Sequence, residues 1–147
     1  MSAKLLTIEK ETALLKNIFQ QSARIAIVGA KDKAGQPVDR VGRYLIEQGY
    51  EVLPVHPKRT NVWGLTTYEQ LSHIPFALDI VDIFRADEYC PQHAREALAL
   101  AHAPRLFWMQ LGIQSAEATR LLAQGDIFIV ENACIMVEHK KIFGIMA

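Results

Sequence analysis

Five short loops hold most of the residues in this chain that could bind or transform a ligand, and each follows an apolar run: residues 29–36, His56–Arg59, Phe84-Arg85, Gln110–Gly112 and Glu131–Cys134. The first is the most informative. A β-branched run, Ile25 to Val28, stops at Gly29, and a loop carrying Gly35 leads to Pro37. From Pro37 a helical stretch places Val38, Val41, Gly42 and Leu45 on one face and ends at Gly49, just before a second apolar run, Glu51 to Val55. Pro suits a first helical position and Gly the left-handed turn past a helix end. The order is strand, glycine loop, helix, strand. A loop of this kind directs backbone N–H groups and the positive end of a helix dipole at one point, where an anion is held. Gly29 and Gly35 fit neither G-x-G-x-x-G nor a P-loop, so these glycines alone are equally consistent with a plain strand-to-helix turn.

The end of the second run narrows the chemistry. A dinucleotide site of the usual kind places an acid there to accept from the adenosine ribose hydroxyls. This chain has Val55-His56-Pro57-Lys58-Arg59, with no acid. Lys58 and Arg59 would attract a phosphate that an acid would repel. The ligand implied is a nucleotide with a phosphate on its adenosine ribose, for which coenzyme A and NADP both qualify. A solvated basic turn is the plain alternative.

Groups for catalysis are sparser. Asp79 and Asp82 lie three apart in one run and so point to opposite faces of a strand. Asp82 is expected to hydrogen-bond a neighbouring loop. His56, His73, His93, His102 and His139 show no metal-ligand spacing. Trp63, Phe107 and Trp108 read as core or loop anchors. Cys134 reads as a core thiol, with a redox contact to a ligand thiol as the sharper alternative. No nucleophile–base pair emerges, which argues against an enzyme acting alone.

The elements that position these loops follow from periodicity. Residues 5–20 form an amphipathic leading helix with Thr7 as its N-cap, packed on the domain. Thr66 and Glu69 suggest a capping box for a short helix over Tyr68 to His73. Strands are expected over 78–84, 105–109 and 127–130, with helices from Pro91 to Ala103 and, capped by Ser115, up to Gly125. The form of the tail from Asn132 onward is open. Short Val- and Ile-rich strands alternating with helices mean an α/β, doubly wound, Rossmann-like parallel sheet of about five strands with helices on both faces, in the order 3-2-1-4-5. The 147 residues make one domain, and 16 basic against 16 acidic residues offer no general attraction for nucleic acid or an anionic membrane. No signal peptide, membrane span or disulfide framework is evident, so a cytoplasmic protein with Cys90 and Cys134 free is expected.

Taken together, Ile27-Val28-Gly29-Ala30-Lys31-Asp32, Arg40-Val41-Gly42, Gly49-Tyr50-Glu51-Val52, Pro54-Val55-His56-Pro57-Lys58, Asp79 to Arg85, Trp108 to Gly112 and Cys134 resemble the CoA-binding domain family. The likeness is to its small stand-alone members, related to the CoA-binding half of the succinyl-CoA synthetase α-subunit. It spans about residues 20–140, with Lys31 where the family usually has Ser and His56 where it usually has Asn. The resemblance implies that Gly29, Ala30, Lys31, Asp32 and Arg40 face a pyrophosphate. It implies that Val55, His56, Pro57, Lys58, Ile83, Phe84 and Arg85 surround the adenosine and its phosphate, and that Gln110, Leu111 and Gly112 flank the pantetheine arm. The synthetase relatives work with a catalytic histidine on a second domain, which this chain lacks. The function expected is binding of coenzyme A or an acyl-CoA, non-catalytic alone, with a small molecule as partner and no nucleic acid or membrane. The rivals are an NADP-linked oxidoreductase and a nucleotide-regulated interaction module or CoA-linked redox protein.

Overall fold

The Val- and Ile-rich runs form five parallel strands, β1 (Arg24–Val28), β2 (Glu51–Val55), β3 (Ile80–Ile83), β4 (Leu106–Met109) and β5 (Phe128–Val130), in a computed structural model that describes residues 4–145. Five α-helices accompany them: α1 (Thr12–Gln21), α2 (Pro37–Glu47), α3 (Cys90–Leu98), α4 (Ala116–Leu122) and α5 (Ile135–Phe143). Both faces of the sheet are covered, as a parallel sheet requires. Ile25, Ile27, Ile80, Leu106 and Trp108 pack one face against α1, α2 and α5. Val28, Val55, Val81, Ile83, Phe107 and Met109 pack the other against α3 and α4. The tail left open by periodicity thus begins as α5, which ends at Gly144 in the left-handed conformation; Met146 and Ala147 lie outside the described residues.

The α/β, Rossmann-like sheet is as expected, but its strand order is β2-β1-β3-β4-β5. The run 78–84, expected beside β2, lies across β1 from it. Pro54 supplies the physical reason. It has no N–H to give the outer side of β2, so a full ladder there is blocked and β2 is an edge strand. The vacant side is held by a single bridge at Tyr68, whose N–H donates to Pro54 O and whose carbonyl accepts from His56 N, each at 2.9 Å. Counting that bridge outermost, the pattern is a Rossmann order with its third strand cut to one residue pair. The winding therefore reverses between β1 and β3, and the carboxyl ends of these two strands are where sheets of this kind form a crevice.

Two expected helices are also corrected. Residues 5–20 divide: Leu5 bridges Ile129 on the free edge of β5, Thr7 O accepts from Lys10 N and Glu11 N in a turn, and only then does α1 begin. Residues 68–73 hold the Tyr68 bridge followed by one 3₁₀ turn, Leu71–His73, because pairing with β2 outweighs the capping box. Ser115 does cap α4, its Oγ accepting from Ala118 N at 3.1 Å. No helix among the described residues is long and apolar enough to cross a membrane.

Candidate functional site

At the end of β1 the glycine loop is tied to β2. Gly29 N and Ala30 N both donate to Val55 O, at 2.9 and 3.2 Å, so neither amide is open to a ligand. Gly29 is held at φ +86°, and a Cβ there would lie 2.4 Å from Phe84 O. Its lack of a side chain thus serves the close approach of β1 to the β3 exit. The next amides, of Lys31, Asp32 and Lys33, make no backbone hydrogen bond among the described residues. Arg40 reaches back from α2 to donate to Gly35 O at 3.0 Å, which fixes the loop's far end.

Trp63 secures the same loop from outside. Its Nε1–H donates to Asp39 Oδ1 at 2.8 Å and its N–H to Asp32 Oδ2 at 3.4 Å. Its ring lies flush on Gly42, where a Cβ would fall 2.2 Å away. Gly42 is therefore a seat for an aromatic ring, a role its place in an apolar helical face did not reveal.

At the end of β2, His56 Nδ1 accepts from Lys58 N and Arg59 N, both at 3.0 Å. An Asn side-chain oxygen would accept the same pair, which explains how His serves where the resembling family has Asn. With Nδ1 accepting, the neutral ring carries its proton on Nε2. Partial burial, then the charges of Arg59, Lys31, Arg85 and Lys58, hold His56 below its ordinary pKa. These four cations come from three loops that are distant in sequence.

The β3 exit completes this end. Arg85 stacks over the Tyr89 ring at 4.1 Å and lines a pocket of about 260 Å³ together with Val28, Gly29, Val55 and Pro57. The opposite wall of that pocket is Glu69, Gln70, Gln92, His93 and Glu96. Phe84 packs on the α2 side of the sheet and Ile83 is buried, so of these three expected residues Val55 alone lines the pocket. A larger cavity of about 720 Å³ lies between Leu5 and α4, away from the cationic loops.

Gln110, Leu111 and Gly112 stand apart from this cluster. Gln110 is buried, and its Oε1 accepts from Ile135 N at 3.0 Å, so its side chain caps α5. Gly112 N donates to Asn132 Oδ1 at 2.7 Å, and Trp108 Nε1 donates to Ala133 O at 2.8 Å. These bonds brace the two loops against each other. Leu111 is left 70% exposed beside them. Cys134, half-buried at the start of α5, is a free thiol, whereas Cys90 is fully buried and pushed up to about 11 by burial and Asp87.

Asp82 departs from expectation. It sits within β3, in register with Ile27 and Trp108, and neither carboxylate oxygen has a hydrogen-bond partner among the described residues. Its neighbours' backbone groups are spent on the sheet and no loop reaches it. Burial raises its carboxyl well above the ordinary range. Sequence reasoning also passed over His93 and Glu96. The signal was available: His93 shares the buried face of α3 with Cys90, Ala94 and Ala97, a costly place for an unpaired imidazole.

Comparison with known proteins agrees with this fold. The model of the CoA binding domain matches residues 23–140. The chain is 35% identical over 127 residues to the uncharacterized protein YneT of Bacillus subtilis, covering 86% of this chain and 93% of that protein. Among solved structures, one from Thermus thermophilus is 36% identical with a TM-score of 0.84, covering 90% of this chain and 98% of that one. A hypothetical protein from Pyrococcus horikoshii OT3 is 29% identical with a TM-score of 0.86, covering 98% and 97%. With a family match from the start of β1 into α5, and a chain of nearly the same extent as these relatives, this protein belongs to the CoA binding domain family.

Proposed function

We propose that this chain binds coenzyme A, free or acylated, at the carboxyl edge of its sheet in the cytoplasm, and that alone it holds the ligand without transforming it. The observation that carries the reading is the acid-free end of β2, where Lys31, Lys58, Arg59 and Arg85 converge around His56. That concentration of positive charge suits the phosphate on the adenosine ribose, while the amides from Lys31 onward and the α2 dipole suit the pyrophosphate. Leu111, exposed beside the braced loop, offers an apolar contact to the pantetheine arm. The groups gathered here are cations and backbone donors, which hold phosphates.

Titration calorimetry with coenzyme A, dephospho-CoA, NADP and NAD tests the reading. Coenzyme A is expected to bind tightest. Dephospho-CoA, which leaves the cations without their anion, should be roughly ten- to a hundredfold weaker. Tighter binding of NADP than of coenzyme A would overturn the assignment. Gly29→Val is a poor test, because the clash it creates is with Phe84 O within the protein.

A further inference from the structure

The pocket between the β1 and β2 ends and α3 has two unlike halves. Its floor is apolar backbone and side chain, Val28, Gly29 and Val55, and its far wall carries Glu69, Glu96 and His93. Two carboxylates make it hostile to phosphate, although it adjoins the cationic loop at Pro57 and Arg85. It suits a flat, uncharged ring bearing a hydrogen-bond donor.

His93 defines what that donor must be. It is buried on α3, and its Nδ1 lies 2.7 Å from Glu96 Oε1. A carboxylate only accepts, so Nδ1 carries the hydrogen of this contact, and in the neutral tautomer the lone pair stands at Nε2. Nε2 has no partner among the described residues and is out of reach of solvent. A buried acceptor without a donor is unfavourable, and almost all such groups in folded proteins find one. The side chains closing the pocket over it, Glu69, Gln70 and Gln92, are exposed and can swing aside as a ring enters.

We infer that His93, oriented by Glu96, reads the exocyclic amino group of the ligand's purine in this pocket. The inference rests on the proposed binding of coenzyme A, whose adenine lies one sugar away from the phosphate assigned to Lys58 and Arg59. The 6-amino group donates to Nε2. A 6-oxo purine would set carbonyl against lone pair and leave both unpaired. Glu96 is a positioning residue, since it touches the imidazole rather than the ligand.

The test compares coenzyme A with its 6-oxo (hypoxanthine) counterpart by calorimetry, on the parent protein and on His93→Leu. The parent should bind the 6-oxo form about ten- to a hundredfold more weakly. His93→Leu should bind the two forms within about threefold of each other, because the group that distinguishes them is gone. A parent that binds both forms alike, or a folded His93→Leu that keeps the preference, overturns the inference while leaving the binding of coenzyme A intact. A parent that binds neither form overturns the proposed function and this inference with it. A readout that needs no variant is the His93 Nε2 nitrogen shift by NMR. It should move when coenzyme A is added and stay in place with the 6-oxo form; equal movement with both would also overturn the inference.

Discussion

Two histidines are buried in this protein, one on each face of the sheet, and their surroundings differ in one respect. His139 on α5 is saturated. Tyr44 Oη donates to its Nδ1 at 2.6 Å, its Nε2–H donates to Tyr50 Oη at 2.9 Å, and Tyr50 passes its own hydrogen to Phe19 O at 3.2 Å. The chain of donors has one consistent direction, so the tautomer is set, and Phe19 meets the ring edge-on at 4.9 Å while Phe143 lies tilted against it at 4.5 Å. His93 on α3 is saturated on one side only. A polar group with every valence met inside the protein fastens elements together, here α5 to α2 and α1. One with a valence left over beside a pocket is placed to meet something from outside.

The contrast breaks most readily at His139. Replacing it with Leu removes two hydrogen bonds and strands the Tyr44 hydroxyl, and should cost about 3–4 kcal/mol by urea unfolding. Affinity of the folded variant for coenzyme A should not change, since the network lies away from the carboxyl edge; a small stability loss would mean that the network fastens little. The same site sets an acid limit. Burial lowers His139 from 6.5 to about 4, so between these values the unfolded chain takes up a proton that the folded chain refuses. The stability it contributes is complete above about pH 6.5 and is lost as the pH falls toward 4, by about 3 kcal/mol in all. Urea midpoints measured from pH 4 to 7 should show this slope in the parent and lose it in His139→Leu.

Asp82 sharpens the comparison from the other side, being buried with neither oxygen met among the described residues. Burial makes its carboxyl hold the proton to higher pH in the folded state, whereas the unfolded chain ionises above the ordinary value of 3.8. Its contribution therefore diminishes as the pH rises from about 3.8 toward the folded-state value. Asp82→Leu should gain about 1–3 kcal/mol at pH 7 and less near pH 4, in the same unfolding series. The smallest change belongs to His93. His93→Leu should keep stability within about 1 kcal/mol of the parent, because the bond lost to Glu96 is offset by removing a stranded acceptor. A loss near that of His139→Leu would make His93 a second fastener.

Much of this could be read in the sequence where local chemistry decides. β1 ends just before Gly29, Pro57 and Gly112 fall in the loops that follow β2 and β4, Pro37 and Pro91 stand in the first turns of helices, and Ser115 caps one. The cationic end of β2 was legible because the signal is the absence of an acid at a place where geometry wants one. What failed were choices between local and distant partners. Thr7 and Thr66 are good caps that lost to strand pairing at Leu5 and Tyr68. The place beside β2 went to the Tyr68 bridge rather than to the run 78–84, although Pro54 marked the outer side of β2 as unable to hold a full strand. Asp82 was expected to find a loop partner, but no local pattern tells which strand position lies beyond every loop's reach. His93 went unread because its meaning depends on what lies opposite, and residues 28, 55 and 69 meet it only in three dimensions.

The two single-residue bridges at the margins of the sheet have a consequence for how copies of this chain meet. An open five-stranded sheet offers two rows of unpaired N–H and C=O groups, which invite a second molecule to add its strand. Leu6 N bonds Ile129 O, and Ile129 N bonds Lys4 O, each at 2.8 Å, so the chain's own beginning occupies the β5 margin. Tyr68 and Pro54 occupy or disable the other. Growth by edge-to-edge stacking, the route to fibrils and amorphous aggregates, is thereby discouraged at both ends. Any specific self-association is left to the helical faces.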